Sequence, residues 1–164
     1  MKNITEKFDL SSSFAEVGLR YDSVRGSSLE VKITTPEAAR ELLMSIWNRD
    51  TLELREEFYV LLLNNAKQCL GWSRVSVGGK TATIVEVSQV VTLALLGNAK
   101  SLVVAHNHPS GILKPSRADI NLTTKLATAL QFHDLELSDH LIITREDYYS
   151  FREHDLIHIN DLFL

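Results

Sequence analysis

Two histidines and one aspartate in the middle of the chain have the residue types and the spacing of a metal site. His106 and His108 follow the short apolar run 101–105, which is rich in β-branched residues and predicts a buried strand. Residues two apart on a strand point to the same side, so both imidazoles can reach one ion while Asn107 faces away. A turn containing Pro and Gly then ends the strand.

The third candidate ligand lies at the start of the next predicted helix. Ser116 is a favoured N-cap, and Ser116-x-x-Asp119 has the spacing of a capping box, which places Asp119 on the first helical turn, facing the strand end. Two neutral imidazoles and one carboxylate are what a catalytic zinc requires, because such sites leave the fourth position to water. Zinc lowers the pKa of that water to about 7, provided that another carboxylate accepts its proton.

The full pattern is His-x-His-x7-Ser-x-x-Asp, formed by His106, His108, Ser116 and Asp119. It resembles the signature of the JAMM (MPN+) metalloprotease superfamily, and the residues around it resemble its RadC branch. The resemblance runs from about Arg55 to the end of the chain. It implies a zinc metallopeptidase that hydrolyses a peptide or isopeptide bond, with a JAB/MPN architecture similar to that of cytidine deaminases.

The expected general base is one of two acids that open the apolar run 58–63. Taken alone, Glu56 and Glu57 indicate a charged strand edge exposed to solvent. Beside a zinc site, one of them becomes the group that accepts the proton of the bound water and passes it to the leaving amine. The RadC-like register, with the acid two residues before Phe58, selects Glu56 and leaves Glu57 as the alternative. Ser116 is the candidate donor of a hydrogen bond to the developing oxyanion.

The sequence leaves two other functions open. The domain could be a non-catalytic zinc-binding RadC-like module that acts in DNA repair or mobile-element processes, or the zinc-activated water could attack a phosphoester.

The other histidines are weaker candidates. The pair His154 and His158 has the His-x3-His spacing of zincins but is more typical of a polar tail. His140 is either a packed core residue or a hydrogen-bond partner of a metal ligand.

The elements that must position these residues are predicted from periodicity and turn signals. We expect a mobile or subunit-packing arm over 1–28 and a single domain over 29–164. The predicted strands are 29–34, 56–63, 68–77, the site strand from 101, 135–144 and 148–151, and the predicted helices are 35–47, 86–96 and 116–133. Strands that alternate with helices but include a hairpin predict an α/β fold in which helices sandwich a mixed β-sheet.

Composition limits the partners. The chain has 164 residues, 45% of them hydrophobic, and a net charge of -4, so we expect a soluble protein without strong non-specific affinity for nucleic acid and without a membrane segment. One cysteine, Cys69, allows no intrachain disulfide, and the cytoplasm is the expected location. Exposed strand edges and the N-terminal arm are compatible with a homodimer, and the sequence leaves the oligomeric state open. The peptide or isopeptide substrate is not identified by the sequence.

Overall fold

The structure is a computed structural model that describes residues 31–79 and 84–159. Within these ranges it contains α1 (Pro36–Ile46), β1 (Glu57–Leu63), β2 (Cys69–Val77), α2 (Val87–Leu96), β3 (Ser101–Asn107), α3 (Arg117–Gln131), β4 (Glu136–Ile143) and β5 (Tyr148–Ser150). Each of these elements was predicted, with ends that differ by one or two residues. The predicted α/β fold with a mixed sheet between helices is therefore confirmed.

One predicted strand is wrong over its described part. Within 31–34 the structure has an isolated antiparallel bridge between Lys32 and Gln68 rather than a strand. The apolar alternation of this segment ends at Thr34, because Thr35 is already the N-cap of α1. The predicted N-terminal arm, 1–28, lies outside the described residues.

The sheet has the strand order β2-β1-β3-β4-β5, which places β3 at its centre. β3 pairs antiparallel with β1 and parallel with β4, so the sheet is mixed. The parallel pair requires a crossover, and α3 supplies it. In this register His106 lies opposite Phe58 on one side and Ile142 on the other, which brings three strands together at the predicted metal site.

Helices cover both faces of the sheet. One apolar cluster joins residues of α1 with Tyr59, Leu61, Val103 and Ala105, whereas the other joins residues of α2 and α3 with Phe58, Val60 and Val104. Successive strand residues alternate between the two clusters, so β1 and β3 are buried along their whole length. This explains why their sequences are nearly continuous apolar runs.

The predicted stop at the end of α2 has a steric cause. The backbone N–H of Gly97 caps the helix by donating to the carbonyl of Leu93. A Cβ atom at Gly97 would lie 2.5 Å from Cδ1 of Leu62 and 2.9 Å from the Leu93 carbonyl oxygen, so a side chain would displace the end of α2 from β1. The close approach of helix and strand therefore requires glycine here.

Among the described residues, no helix combines the length and the apolar character that crossing a membrane requires.

Candidate metal centre

His106 and His108 lie at the carboxyl end of β3, where the strand leaves the sheet. The Nε2 atoms of the two rings are 3.0 Å apart, so both imidazoles converge as their spacing predicted. The backbone N–H of His108 donates to the carbonyl of Ile143, which continues the pairing with β4 one residue beyond the strand. His106 is 2% exposed and His108 is half-buried, so the pair forms the floor of a surface site.

Asp119 approaches the two rings from the first turn of α3. Its Oδ1 lies 3.3 Å from Nε2 of His106, and its Oδ2 lies 3.7 Å from Nε2 of His108. The predicted capping box fixes this position, because the Ser116 N–H donates to Asp119 Oδ2 at 2.7 Å and the Asp119 N–H donates to Ser116 Oγ at 3.1 Å. The carboxylate is therefore oriented by the start of its own helix.

The three side chains offer the donor atoms that a metal ion could share. Their ligand atoms lie within 4.8 Å of one another, and among the residues that the structure describes they are the group that could share an ion. Nδ1 of His108 is 2.6 Å from the carbonyl oxygen of Ile112, which can only accept, so Nδ1 carries the hydrogen. The Nε2 lone pair of neutral His108 then points towards His106 and Asp119. Nitrogen and carboxylate donors that face one another this closely fit a shared cation.

Charge interactions among the three side chains shift the pKa values of Asp119 and His108. Burial opposes the ionisation of Asp119, but its contacts with His106 and His108 outweigh burial and hold the pKa of Asp119 well below its ordinary value. The nearby Asp119 carboxylate in turn raises the pKa of His108 above its ordinary value, and this effect outweighs the opposing effect of burial. The site therefore stabilises positive charge beside the Asp119 carboxylate, whether a proton or a metal ion carries it.

The sheet register separates the two candidate general bases. Glu57 faces the same side as Asn107: its backbone N–H donates to Asn107 Oδ1 at 2.7 Å, and its side chain is fully buried. Glu56 precedes it and, by strand alternation, shares the side of Phe58 and His106. Glu56 is half-buried, and its charge contributes to the raised pKa of His108.

Glu57 belongs to a separate buried ion cluster. Its Oε1 accepts hydrogen bonds from Arg55 and Thr51, both at 2.9 Å, and its Oε2 accepts one from Tyr59 at 3.1 Å. Arg74 lies 3.5 Å from the same Oε2. Burial raises the pKa of Glu57, but these bonds outweigh it and hold the pKa below its ordinary value. The structure therefore gives Glu57 a role in the packing of β1 and β2, away from the two histidines.

Two residues lie behind the candidate metal site, and the sequence left the role of the first, His140, open between core packing and a hydrogen bond to a metal ligand. His140 on β4 is fully buried, and its Nε2 lies 2.9 Å from Nδ1 of His106. Thr123 on α3, which sequence reasoning missed, lies 2.7 Å from the other ring nitrogen of His140. Its position four residues after Asp119, on the same helix face, was the available signal. Burial lowers the pKa of His140 well below its ordinary value, as does the neighbouring His106.

The other histidine pair does not form a site. Nδ1 of His154 contacts the carbonyl oxygen of Ser150 at 2.8 Å, and its ring stacks on Tyr149. The segment 151–155 is a series of turns rather than the helix that a zincin pair requires.

Comparison with known proteins identifies the family. The model of the RadC-like JAB domain matches residues 33–156, which include both histidines, Asp119 and the two acids. The chain belongs to the RadC-like JAB domain family. This confirms the predicted relationship to RadC proteins.

Two curated relatives of this family carry names that record no activity. A UPF0758 protein of Flavobacterium johnsoniae is 48% identical over 96 residues, which cover 58% of this chain and 42% of that protein. UPF0758 protein YeeS of Escherichia coli K12 is 43% identical over 127 residues, which cover 77% of this chain and 84% of YeeS. The chain thus matches less than half of the length of the first relative and most of the second.

Proposed function

We propose that this RadC-like JAB domain is a zinc-dependent hydrolase of the JAMM type that cleaves a peptide or isopeptide bond with an activated water. The observation that carries the proposal is the convergence of the His106, His108 and Asp119 ligand atoms within 4.8 Å of one another. Strand alternation puts Glu56 on the same side of the sheet. When bound there, zinc would act as a Lewis acid and lower the pKa of a coordinated water to about 7.

Glu56 is the group that we propose as general base. It lies one residue before β1, and its backbone is held by two hydrogen bonds, from its N–H to the carbonyl of Gly79 and from the Gly78 N–H to its own carbonyl. This pairing continues the alternation of β1, by which the carboxylate would lie on the side of the sheet that carries His106. Glu56 would take a proton from the attacking water and deliver it to the leaving amine as the C–N bond breaks.

We propose that Ser116 acts on the carbonyl oxygen of the substrate. Its Oγ accepts the Asp119 N–H and its side chain is exposed, so the hydroxyl hydrogen remains available to donate to an oxyanion. The start of α3 adds a partial positive charge at the same place. Ser116 would therefore serve as helix cap and as oxyanion donor.

A cavity beside His108 is a candidate contact for a substrate chain. A surface cavity of about 280 Å³ lies between the turn Pro109, Ser110 and Gly111 on one side and residues 144–147 on the other. Of the three candidate ligands, His108 is the one that lines this cavity. We propose this cavity as a contact for the part of a peptide substrate next to the cleaved bond.

The test combines metal analysis with a panel of internally quenched peptides and lysine isopeptides. We expect one zinc per chain, and we expect Glu56→Gln to retain zinc while cleavage falls by about 10²-fold or more, because proton transfer is lost. Glu57→Gln is the matched control and should keep the cleavage rate of the folded parent. Bound zinc without cleavage of any substrate in the panel would contradict the proposal and favour the non-catalytic module. If DNA is tested as a further substrate and is the one that is cleaved, the result would favour hydrolysis of a phosphoester.

A further inference from the structure

The ring of His140 lies directly behind His106, on the side away from the proposed ion. It is fully buried, stacks on Phe151 with ring centroids 4.5 Å apart, and meets the ring of Phe58 edge-on at 5.7 Å. A histidine that only fills core space needs no particular proton position. Here both ring nitrogens have a partner, His106 at 2.9 Å and Thr123 at 2.7 Å.

The direction of these hydrogen bonds follows from the hydroxyl of Thr123. Its Oγ1 is 2.7 Å from the backbone carbonyl oxygen of Asp119, which can only accept a hydrogen. The hydroxyl hydrogen is therefore used on Asp119, and Oγ1 must accept from Nδ1 of His140. A neutral His140 that donates from Nδ1 has a lone pair on Nε2.

That lone pair determines the proton position on the metal ligand. Nε2 of His140 accepts from Nδ1 of His106 at 2.9 Å, so the hydrogen of neutral His106 is on Nδ1. Its Nε2, which faces His108 and Asp119, is then left as a lone pair. Each step of the chain from Asp119 through Thr123 and His140 to His106 is a bond with one permitted direction.

We propose that Thr123 and His140 are positioning residues that fix His106 as the tautomer able to bind the ion through Nε2. The inference rests on the proposed zinc site. Thr123 belongs to the same helix as Asp119 and His140 belongs to the strand beside β3, so the chain also joins the elements that carry two of the three ligands. Partners of this kind commonly contribute 10–100-fold to metal affinity.

The experiment uses a matched pair of variants of the full chain. Thr123→Val has nearly the same shape but lacks the hydroxyl, whereas Thr123→Ser keeps it. Zinc affinity is measured by competition with a chromophoric chelator, and Co²⁺ is added separately to record the visible spectrum of the site. We expect Thr123→Val to lose about 10–100-fold in zinc affinity and to alter the Co²⁺ spectrum, with Thr123→Ser within about threefold of the parent.

A second measurement does not depend on a variant that folds. Long-range ¹⁵N–¹H NMR spectra of the labelled, metal-free parent identify which ring nitrogen of His140 carries the hydrogen. We expect Nδ1–H, the less common tautomer. A hydrogen on Nε2 would overturn the inference, as would zinc affinity in folded Thr123→Val within about threefold of the parent. A parent that binds zinc but cleaves nothing contradicts the proposed hydrolase and leaves this inference standing.

Discussion

Glu57→Gln should destabilise the protein, and the size of the effect follows from the cluster around Glu57. The carboxylate is fully buried and accepts bonds from Arg55, Thr51 and Tyr59, with Arg74 at 3.5 Å. Removing one partner of a buried ion pair costs about 3–5 kcal/mol. Glutamine keeps the size and one acceptor, and the arginine side chains are 37% and 44% exposed, so they can turn partly to water. We therefore expect a loss of about 2–3 kcal/mol.

The pH dependence of the unfolding free energy shows whether the negative charge of Glu57 causes the stabilisation. The pKa of Glu57 is lowered in the folded state, so its stabilisation is fully present above the unfolded pKa of about 4.3 and is lost as the pH falls through the folded pKa. The difference between parent and Glu57→Gln should be constant near neutral pH and shrink below about pH 4. Near neutral pH the substitution Glu57→Gln should lower the melting temperature by about 5–10 °C.

The assay is urea denaturation of metal-free protein, so that bound zinc adds nothing to the free energy of unfolding. Glu56→Gln is the control, and its unfolding free energy should lie within about 1 kcal/mol of the parent, because Glu56 is half-buried and outside the cluster. Parent-like stability of Glu57→Gln, or a loss that does not change with pH, would refute the reasoning. If Glu57→Gln instead abolished cleavage while Glu56→Gln kept it, the two acids would exchange roles.

Three further predictions concern the fold and the ion. Gly97→Ala should destabilise the protein by about 1–3 kcal/mol, because the new methyl group clashes at the end of α2. Gly71 has open space around it, so Gly71→Ala is the control and should change the stability little. Thermal unfolding of the two variants makes the comparison. Asn107→Ala should cost roughly 3 kcal/mol in urea denaturation, because its side chain makes three hydrogen bonds to buried or half-buried backbone. Zinc at 100 times its Kd should stabilise the parent by about 2.7 kcal/mol, and it should stabilise Asp119→Asn far less. The zinc affinity, measured by chelator competition, should fall as the pH is lowered. Because the pKa of His108 is raised, this fall should start above the ordinary histidine value of about 6.5.

The sequence by itself determined the features that depend on neighbouring residues. His106 and His108 are placed by one strand, and Asp119 is oriented by the capping box of its own helix, so a short stretch contains the three candidate ligands and their local geometry. The order of strands and helices was also readable, because each apolar run is continuous or periodic enough to define its element. The strand predicted over 29–34 is wrong within the described residues 31–34, because a short alternating pattern does not indicate whether a partner strand is available.

Tertiary structure decided what depends on contacts between distant elements. Glu56 and Glu57 differ by one position, and only the pairing of β1 with β3 shows that Glu57 faces Asn107 and the arginines. The chain from Asp119 through Thr123 and His140 to His106 joins α3, β4 and β3, which follow one another in sequence but meet at these side chains only because α3 packs on the sheet. Hydrogen-bond direction is set by which donor meets which acceptor in space, and that information is absent from spacing along the chain.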